Sequence, residues 1–222
     1  ASAALALKDV EALVDQLSNV RTAAPYNKTT LNAVYGLEDT STSVAGTDTR
    51  YFDIVDWPVV LGRGFLPAEE SSGKAVCILG ETVRQELFGN TDPVGEKIRL
   101  KSVTCEVIGL LDAKGASSFG SDQDDIVLMP IKAFQRRVTG SSDVSLIYVA
   151  AKNNVSTDRV LVEIEILMRE RRRIGDGGIR VGRPRDYTPI DDAKSRCAPP
   201  HACGYRRAKA EPSTQILRRQ CA

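Results

Sequence analysis

Near the start of the chain apolar residues recur every three to four positions. Val10, Leu13, Val14 and Leu17 fall on one face, which predicts a helix over Leu7 to Leu17. The rhythm then changes. Val20 to Ala24 and Thr29 to Tyr35 predict two strands separated by Pro25 and Asn27-Lys28, and Thr42 to Thr47 predicts a third leading into Tyr51-Phe52. Trp57 to Phe65, with Pro58, Gly62 and Gly64, predicts an irregular, turn-rich crossing. Val76 to Leu79 predicts a short buried strand, and Glu81 to Phe88 a short helix ending at Gly89-Asn90. Lys97 to Leu100 and Thr104 to Leu111 predict a hairpin, because Val103, Cys105, Val107 and Ile108 suit a pleated, half-buried surface. Gly115 to Asp125 reads as an acidic loop of small residues, Ile126 to Met129 as a strand stopped by Pro130, and Lys132 to Val138 as a helical turn or two. A strand over Ser145 to Ala150 precedes the strongest helical pattern, Thr157 to Arg172. Ser156 or Thr157 can cap that helix, and Val160, Leu161, Ile164, Leu167 and Met168 line it. Strands and helices are interspersed without steady alternation and without an internal repeat, so the fold class is α+β and not a doubly wound sheet.

A length of 222 residues suffices for one large domain or two small ones. Lys plus Arg is 30 against Asp plus Glu 29, so overall charge gives no reason to expect nucleic acid. The distribution is uneven. From Arg169 onward there are 14 basic and 6 acidic residues, which leaves 16 against 23 in residues 1–168. Cys77 and Cys105 lie in the body, while Cys197, Cys203 and Cys221 crowd the last 26 positions. Each body cysteine sits in an apolar strand and reads most simply as a buried thiol, although an oxidising compartment would allow the two to pair. No apolar run approaches the roughly 20 residues that span a bilayer, and no signal-peptide pattern is present.

Residue chemistry argues against a catalytic centre. The single histidine is His201, so the body has no imidazole to serve a serine or cysteine nucleophile. Neither a phosphate-binding glycine loop nor a dinucleotide fingerprint appears. Ser121-Asp122-Gln123-Asp124-Asp125 invites calcium, yet lacks the glycine and distal glutamate of an EF-hand loop, and local turn hydrogen bonds explain it more simply. Cys197, His201 and Cys203, with Cys221, offer zinc-type ligands, but not as two tight pairs, and no apolar residues surround them. Arg169, Arg171, Arg172 and Arg173 fit a helix C-terminus, where cations offset the dipole. Trp57, the sole tryptophan, reads as a core or inter-subdomain wedge before a ligand platform.

An ordered set of short motifs is more specific than any of these. Gly46-Thr47, Tyr51-Phe52, Trp57, Gly62-Arg63 and Phe65 are followed by Val76 to Gly80, Val83, Leu87-Phe88 and Asp92-Pro93-Val94-Gly95. Val107 to Leu111, Lys114-Gly115, Asp122 to Asp125 and a strand ending at Pro130 complete the series. Over roughly residues 7 to 172 this order resembles the periplasmic core domain of MacB-like ABC transporter permeases. The resemblance implies a porter-like α+β part interrupted by a smaller mixed subdomain, placed here at 1–53 and 141–175 around an insertion at 54–140. It implies a non-catalytic periplasmic domain of an inner-membrane permease, with no cofactor in this fragment, that transmits ATP-driven motion and docks partners for efflux or export. Those partners are an ABC ATPase subunit or domain, a periplasmic adaptor, a TolC-like outer-membrane channel and a second permease copy.

The contact regions expected are the Trp57 to Phe65 crossing and the acidic loop, with Trp57, Arg63, Phe119, Asp122, Gln123 and Asp124 as candidate residues. Against the family pattern the chain begins at the first helix, without the strand that usually precedes it. Residues 176–222 read as an atypical basic tail, disordered or out of frame, because Arg, Cys and Pro rise together where the pattern stops. The competing reading is a metal-binding or redox module built on Cys197, His201 and Cys203.

Overall fold

The computed structural model describes residues 5–116 and 122–172. The expected tail, its Cys197–His201–Cys203 cluster and Phe119 therefore lie outside the described residues. The chain opens with α1 (Leu7–Gln16) and the long strand β1 (Val20–Tyr35), followed by β2 (Glu38–Thr47), α2 (Thr49–Val55), β3 (Val59–Gly62), α3 (Pro67–Ser72), β4 (Val76–Leu79) and α4 (Glu81–Phe88). It continues with β5 (Lys97–Leu100), β6 (Val103–Leu111), β7 (Ile126–Pro130), α5 (Ile131–Phe134), a π turn (Gln135–Thr139), β8 (Leu146–Ala151) and α6 (Thr157–Arg172). The mixed α+β class holds, with parallel β2–β7 and β4–β6 pairs among antiparallel ones.

Strand pairing closes on itself. β1 pairs with β2, β2 with β7, β7 with β4, β4 with β6, β6 with β5, and β5 returns to β1 at Ala33↔Leu100 and Val34↔Arg99. β3 adds to this ring through β6, and β8 adds through the first half of β1. Alternation along the strands separates two apolar clusters. Cys77, Leu79, Cys105, Val107, Val127 and Met129 form one with Val83, Leu87 and Phe88 of α4 and with Phe134. Val76, Ile78, Ile126 and Leu128 form the other with Tyr51, Phe52, Trp57 and Phe65. β4 and β7 are buried on both faces, which is why they read as unbroken apolar runs. A third cluster packs α1 and α6 on Val20 and Ala23 of β1 and on the adjoining face of β8, through Val10, Leu13, Val160, Ile164, Leu167 and Met168.

Four differences from the expected elements have physical causes. The two strands expected before residue 36 are one. Pro25 sits inside β1 opposite Ile147, and its carbonyl accepts the Thr47 hydroxyl at 2.8 Å, on the side away from β8. The N and C=O of one strand residue face the same side, so the missing N–H falls just ahead of Asn27↔Gly46, where β2 pairing begins, and costs no ladder bond. Tyr51-Phe52 lies in a helix, α2, because Asp48 caps it by accepting the Arg50 N–H at 3.0 Å. Helix α3 was not anticipated either; Pro67 stands at its first turn and Gly73 closes it at φ +64°.

Finally, Cys77 and Cys105 are buried as expected but not as thiols. They form a disulfide with Cα atoms 5.9 Å apart, joining neighbouring strands β4 and β6 inside the ring. Strand pairing brings Cα atoms within bridging distance, which spacing in the sequence does not reveal.

Candidate partner-contact surface

The two stretches expected to make contacts lie side by side. Asp56 ends α2 in the left-handed conformation (φ +48°) and turns the chain so that the Trp57 N–H reaches the Phe52 carbonyl at 3.0 Å. The Trp57 ring then enters the core, only 5% exposed, and its Nε1 donates to the Asp112 carbonyl at 2.6 Å. Lys114 Nζ lies 4.7 Å from the ring centroid and donates to the Val55 carbonyl at 2.8 Å. Burial lowers the Lys114 pKa, opposed by the charges of Asp56, Asp124 and Asp112. Trp57 is thus the wedge that joins the end of α2 to the start of the acidic loop, and its ring is turned away from solvent.

The acidic residues of the loop serve the backbone. Asp124 is 5% exposed and accepts the N–H groups of Lys114 (2.9 Å) and Gly115 (2.8 Å). Asp122 accepts the Asp124 N–H at 2.9 Å and the Thr82 hydroxyl at 2.6 Å, anchoring the loop to α4. The Asp122–Asp124 bond is a local turn bond of the expected kind, whereas Asp124 reaches back across the loop to residues 114 and 115. Gly80 allows the loop this approach, since a Cβ there would lie 2.2 Å from the Asp124 carbonyl oxygen. Asp122 and Gln123 are exposed.

Arg63 follows edge strand β3. Its two guanidinium nitrogens reach the two Glu69 oxygens at 2.8 Å each, a bidentate pair tying β3 to α3. Glu69, 6% exposed, also accepts the Leu66 N–H (3.1 Å) and Lys74 Nζ (3.3 Å). The Arg63 hydrogen bonds, aided by Leu66 and Lys74, pull the Glu69 pKa down to about 2 against the desolvation that would raise it. Its contribution to stability is therefore complete above the ordinary carboxylate pKa and disappears as pH falls from about 4.5 through about 2. Urea midpoints of the wild type and Glu69→Gln, taken from pH 7 down to pH 2, are expected to differ by a constant amount above pH 5 and to converge below. A gap that persists at pH 2 would contradict this assignment.

The expected residues thus divide. Asp122 and Gln123 face solvent, Arg63 is 42% exposed but engaged by Glu69, and Trp57 and Asp124 are buried supports. Sequence reasoning missed Glu69 and had Lys114 only as part of a motif, yet these two side chains tie neighbouring elements of the surface together. Val60 (57% exposed) and Leu61 (39%) lie within the expected crossing without having been singled out, and Leu66 (48%) lies just beyond it. Pro67 with Glu69 and Glu70 was a readable helix start that would have drawn attention to Glu69. No described helix is long and apolar enough to cross a membrane.

Comparison with known proteins gives this geometry a context. The profile of the MacB-like periplasmic core domain matches residues 1–167. Over 150 residues the chain is 40% identical to the pyoverdine export ATP-binding/permease protein PvdT of Pseudomonas savastanoi pv. phaseolicola, covering 66% of this chain and 23% of that protein. It is 35% identical over 156 residues to the macrolide export ATP-binding/permease protein MacB of Syntrophobacter fumaroxidans, covering 69% and 22%. The chain thus spans about a quarter of the length of these relatives. Among solved structures, the periplasmic region of MacB from Actinobacillus actinomycetemcomitans shares the fold at a TM-score of 0.68 and 20% identity, covering 78% of this chain and 76% of that one. The extracellular domain of the noncanonic ABC-type transporter YknZ from Gram-positive bacteria does so at 0.66 and 22%, covering 78% and 87%.

Proposed function

The chain belongs to the MacB-like periplasmic core domain family, and from that premise we propose that it is the extracytoplasmic part of an ABC export permease, transmitting ATP-driven motion and docking partners without catalysing a reaction itself. The match over residues 1–167 carries this reading. ATP hydrolysis belongs to a nucleotide-binding subunit or domain reached through membrane segments of an inner-membrane protein. The Cys77–Cys105 disulfide suits this location, since such bonds persist in oxidising compartments. The partners are a periplasmic adaptor, a TolC-like channel and a second permease copy, and the cargo class is that of macrolide or pyoverdine exporters.

The proposal includes a division of the domain at 1–53, 54–140 and 141–175. β1 bears on it, because its first half pairs with β8 and its second half with the ring. Asp122, Gln123, Val60, Leu61 and Leu66 are the proposed docking residues, with Arg63 and Trp57 as supports.

The test is a domain exchange. Residues 7–172 replace the corresponding segment of a full-length macrolide or pyoverdine export permease, and export is measured in cells lacking their own exporter. Export above that of a permease with the segment excised is expected. Export no higher than in the excised protein would count against the assignment.

A further inference from the structure

Two buried amide side chains meet where the strand ring joins the α1–β8–α6 layer. Tyr26↔Leu146 is the last pair of β1 with β8, and Asn27↔Gly46 opens its pairing with β2, so β1 changes partners between residues 26 and 27. The chain leaves the ring again after the π turn, through residues 140–145, to start β8. Among the described residues these are the two covalent crossings between the ring and the layer, and both fall at one place.

Asn27 and Gln135 hold that place shut. Asn27, 6% exposed, donates through Nδ2 to the Asp143 carbonyl at 2.7 Å and accepts the Ser145 N–H on Oδ1, also at 2.7 Å. Gln135, 7% exposed and first residue of the π turn, donates through Nε2 to the carbonyls of Ser142 (2.9 Å) and Asp143 (3.2 Å). Between them Val144 is buried, and its N–H reaches the Leu5 carbonyl at 2.7 Å. Gln135 is itself fixed from behind. The preceding residue, Phe134, packs so closely on Gly46, the strand partner of Asn27, that a Cβ on Gly46 would lie 2.5 Å from that of Phe134.

Ring and layer are also linked by the buried Thr47 hydroxyl on the Pro25 carbonyl at 2.8 Å, by Arg50 of α2 with Glu11 of α1 at 3.4 Å, and by an aromatic contact. Tyr51 of α2 stacks on Tyr26 at 5.3 Å and meets Tyr148 edge-on at 5.2 Å. Apolar and ring contacts tolerate tilting because burial is non-directional, whereas hydrogen bonds weaken steeply off axis. The directional contacts between layer and ring are therefore the amide bonds, the Thr47–Pro25 bond and the Arg50–Glu11 pair, and of these the amides hold the 140–145 crossing.

We propose that Asn27 and Gln135 form an orienting joint that makes the α1–β8–α6 layer and the strand ring move as one body. What the joint serves rests on the transmission reading above; whether it exists does not, and the two can fail separately.

The experiment uses the 222-residue chain and its Asn27→Ala/Gln135→Ala variant in solution. Amide hydrogen exchange and residual dipolar couplings are measured by NMR. In the wild type, one alignment tensor is expected to fit both ring and layer, and the Ser145 amide to be protected like the amides of the β1–β8 ladder. In the variant, Ser145 protection is expected to fall about tenfold or more, and the layer to need its own, weaker tensor while ladder amides stay protected. A single tensor in the folded variant would overturn the joint. So would a wild-type Ser145 amide exchanging as fast as those of the exposed turn at Gly36 and Leu37, a result that needs no variant to fold. Failure of the export reading appears instead in the domain exchange and leaves these couplings unchanged.

Discussion

Removal of the Cys77–Cys105 bond, by reductant under denaturing conditions or as Cys77→Ala/Cys105→Ala, is expected to lower stability by about 3–4 kcal/mol. The estimate follows from the sequence separation of 28, because the crosslink restricts an unfolded loop that contains all of α4 and β5. Both cysteines are at most 1% exposed, so reductant should act slowly on the native domain and quickly once it opens. Urea unfolding of oxidised and reduced protein measures the difference, and peptide mapping identifies the linked pair among the five cysteines of the chain. Identical midpoints, with no Cys77–Cys105 peptide recovered, would restore the buried-thiol reading.

Phe134→Ala should be comparably damaging, costing about 3–5 kcal/mol. Phe134 is 1% exposed, lies in the cluster enclosed with α4 and sits directly on Gly46. Its removal opens a cavity beside two strands that are already paired, so little can collapse to fill it. Against an ordinary domain stability of about 5–15 kcal/mol the variant is left marginal. A fall in urea midpoint with unchanged slope is the expected signature. Gly64→Ala is the matched control: no atom lies within 4 Å of a Cβ there and its φ is not positive, so it should be near neutral. A Phe134→Ala midpoint as close to wild type as that control would show that the contact with Gly46 matters little.

Much of this architecture was legible because the relevant signals are local. The α6 face follows from periodicity, and β4 and β7 from short apolar runs bounded by Gly80 and Pro130. The turn at Gly89 and the α1 face were equally plain. What escaped was set by the neighbours a residue meets in space. Pro25 looks like a strand breaker until pairing with β2 is seen to begin two residues later, and Cys77 and Cys105 look like separate apolar thiols until β4 and β6 lie side by side. The candidate contact residues show the same limit. Trp57 was legible as a wedge, and the turn role of Asp122 and Asp124 was legible from composition, but the Glu69 carboxylate that engages Arg63 comes from a helix that was not anticipated. Asn27 and Gln135 gave no signal at all, since an amide side chain acquires its role only when the fold brings residues 142–145 beside it.

The function proposed above has this domain couple ATP hydrolysis elsewhere in a permease to export. ATP hydrolysis and cargo export, measured side by side in a full-length permease carrying residues 7–172 and in the same permease with that segment excised, test it most directly. The excised permease is expected still to hydrolyse ATP while its export falls to background. Export sustained at the intact level after excision would contradict it.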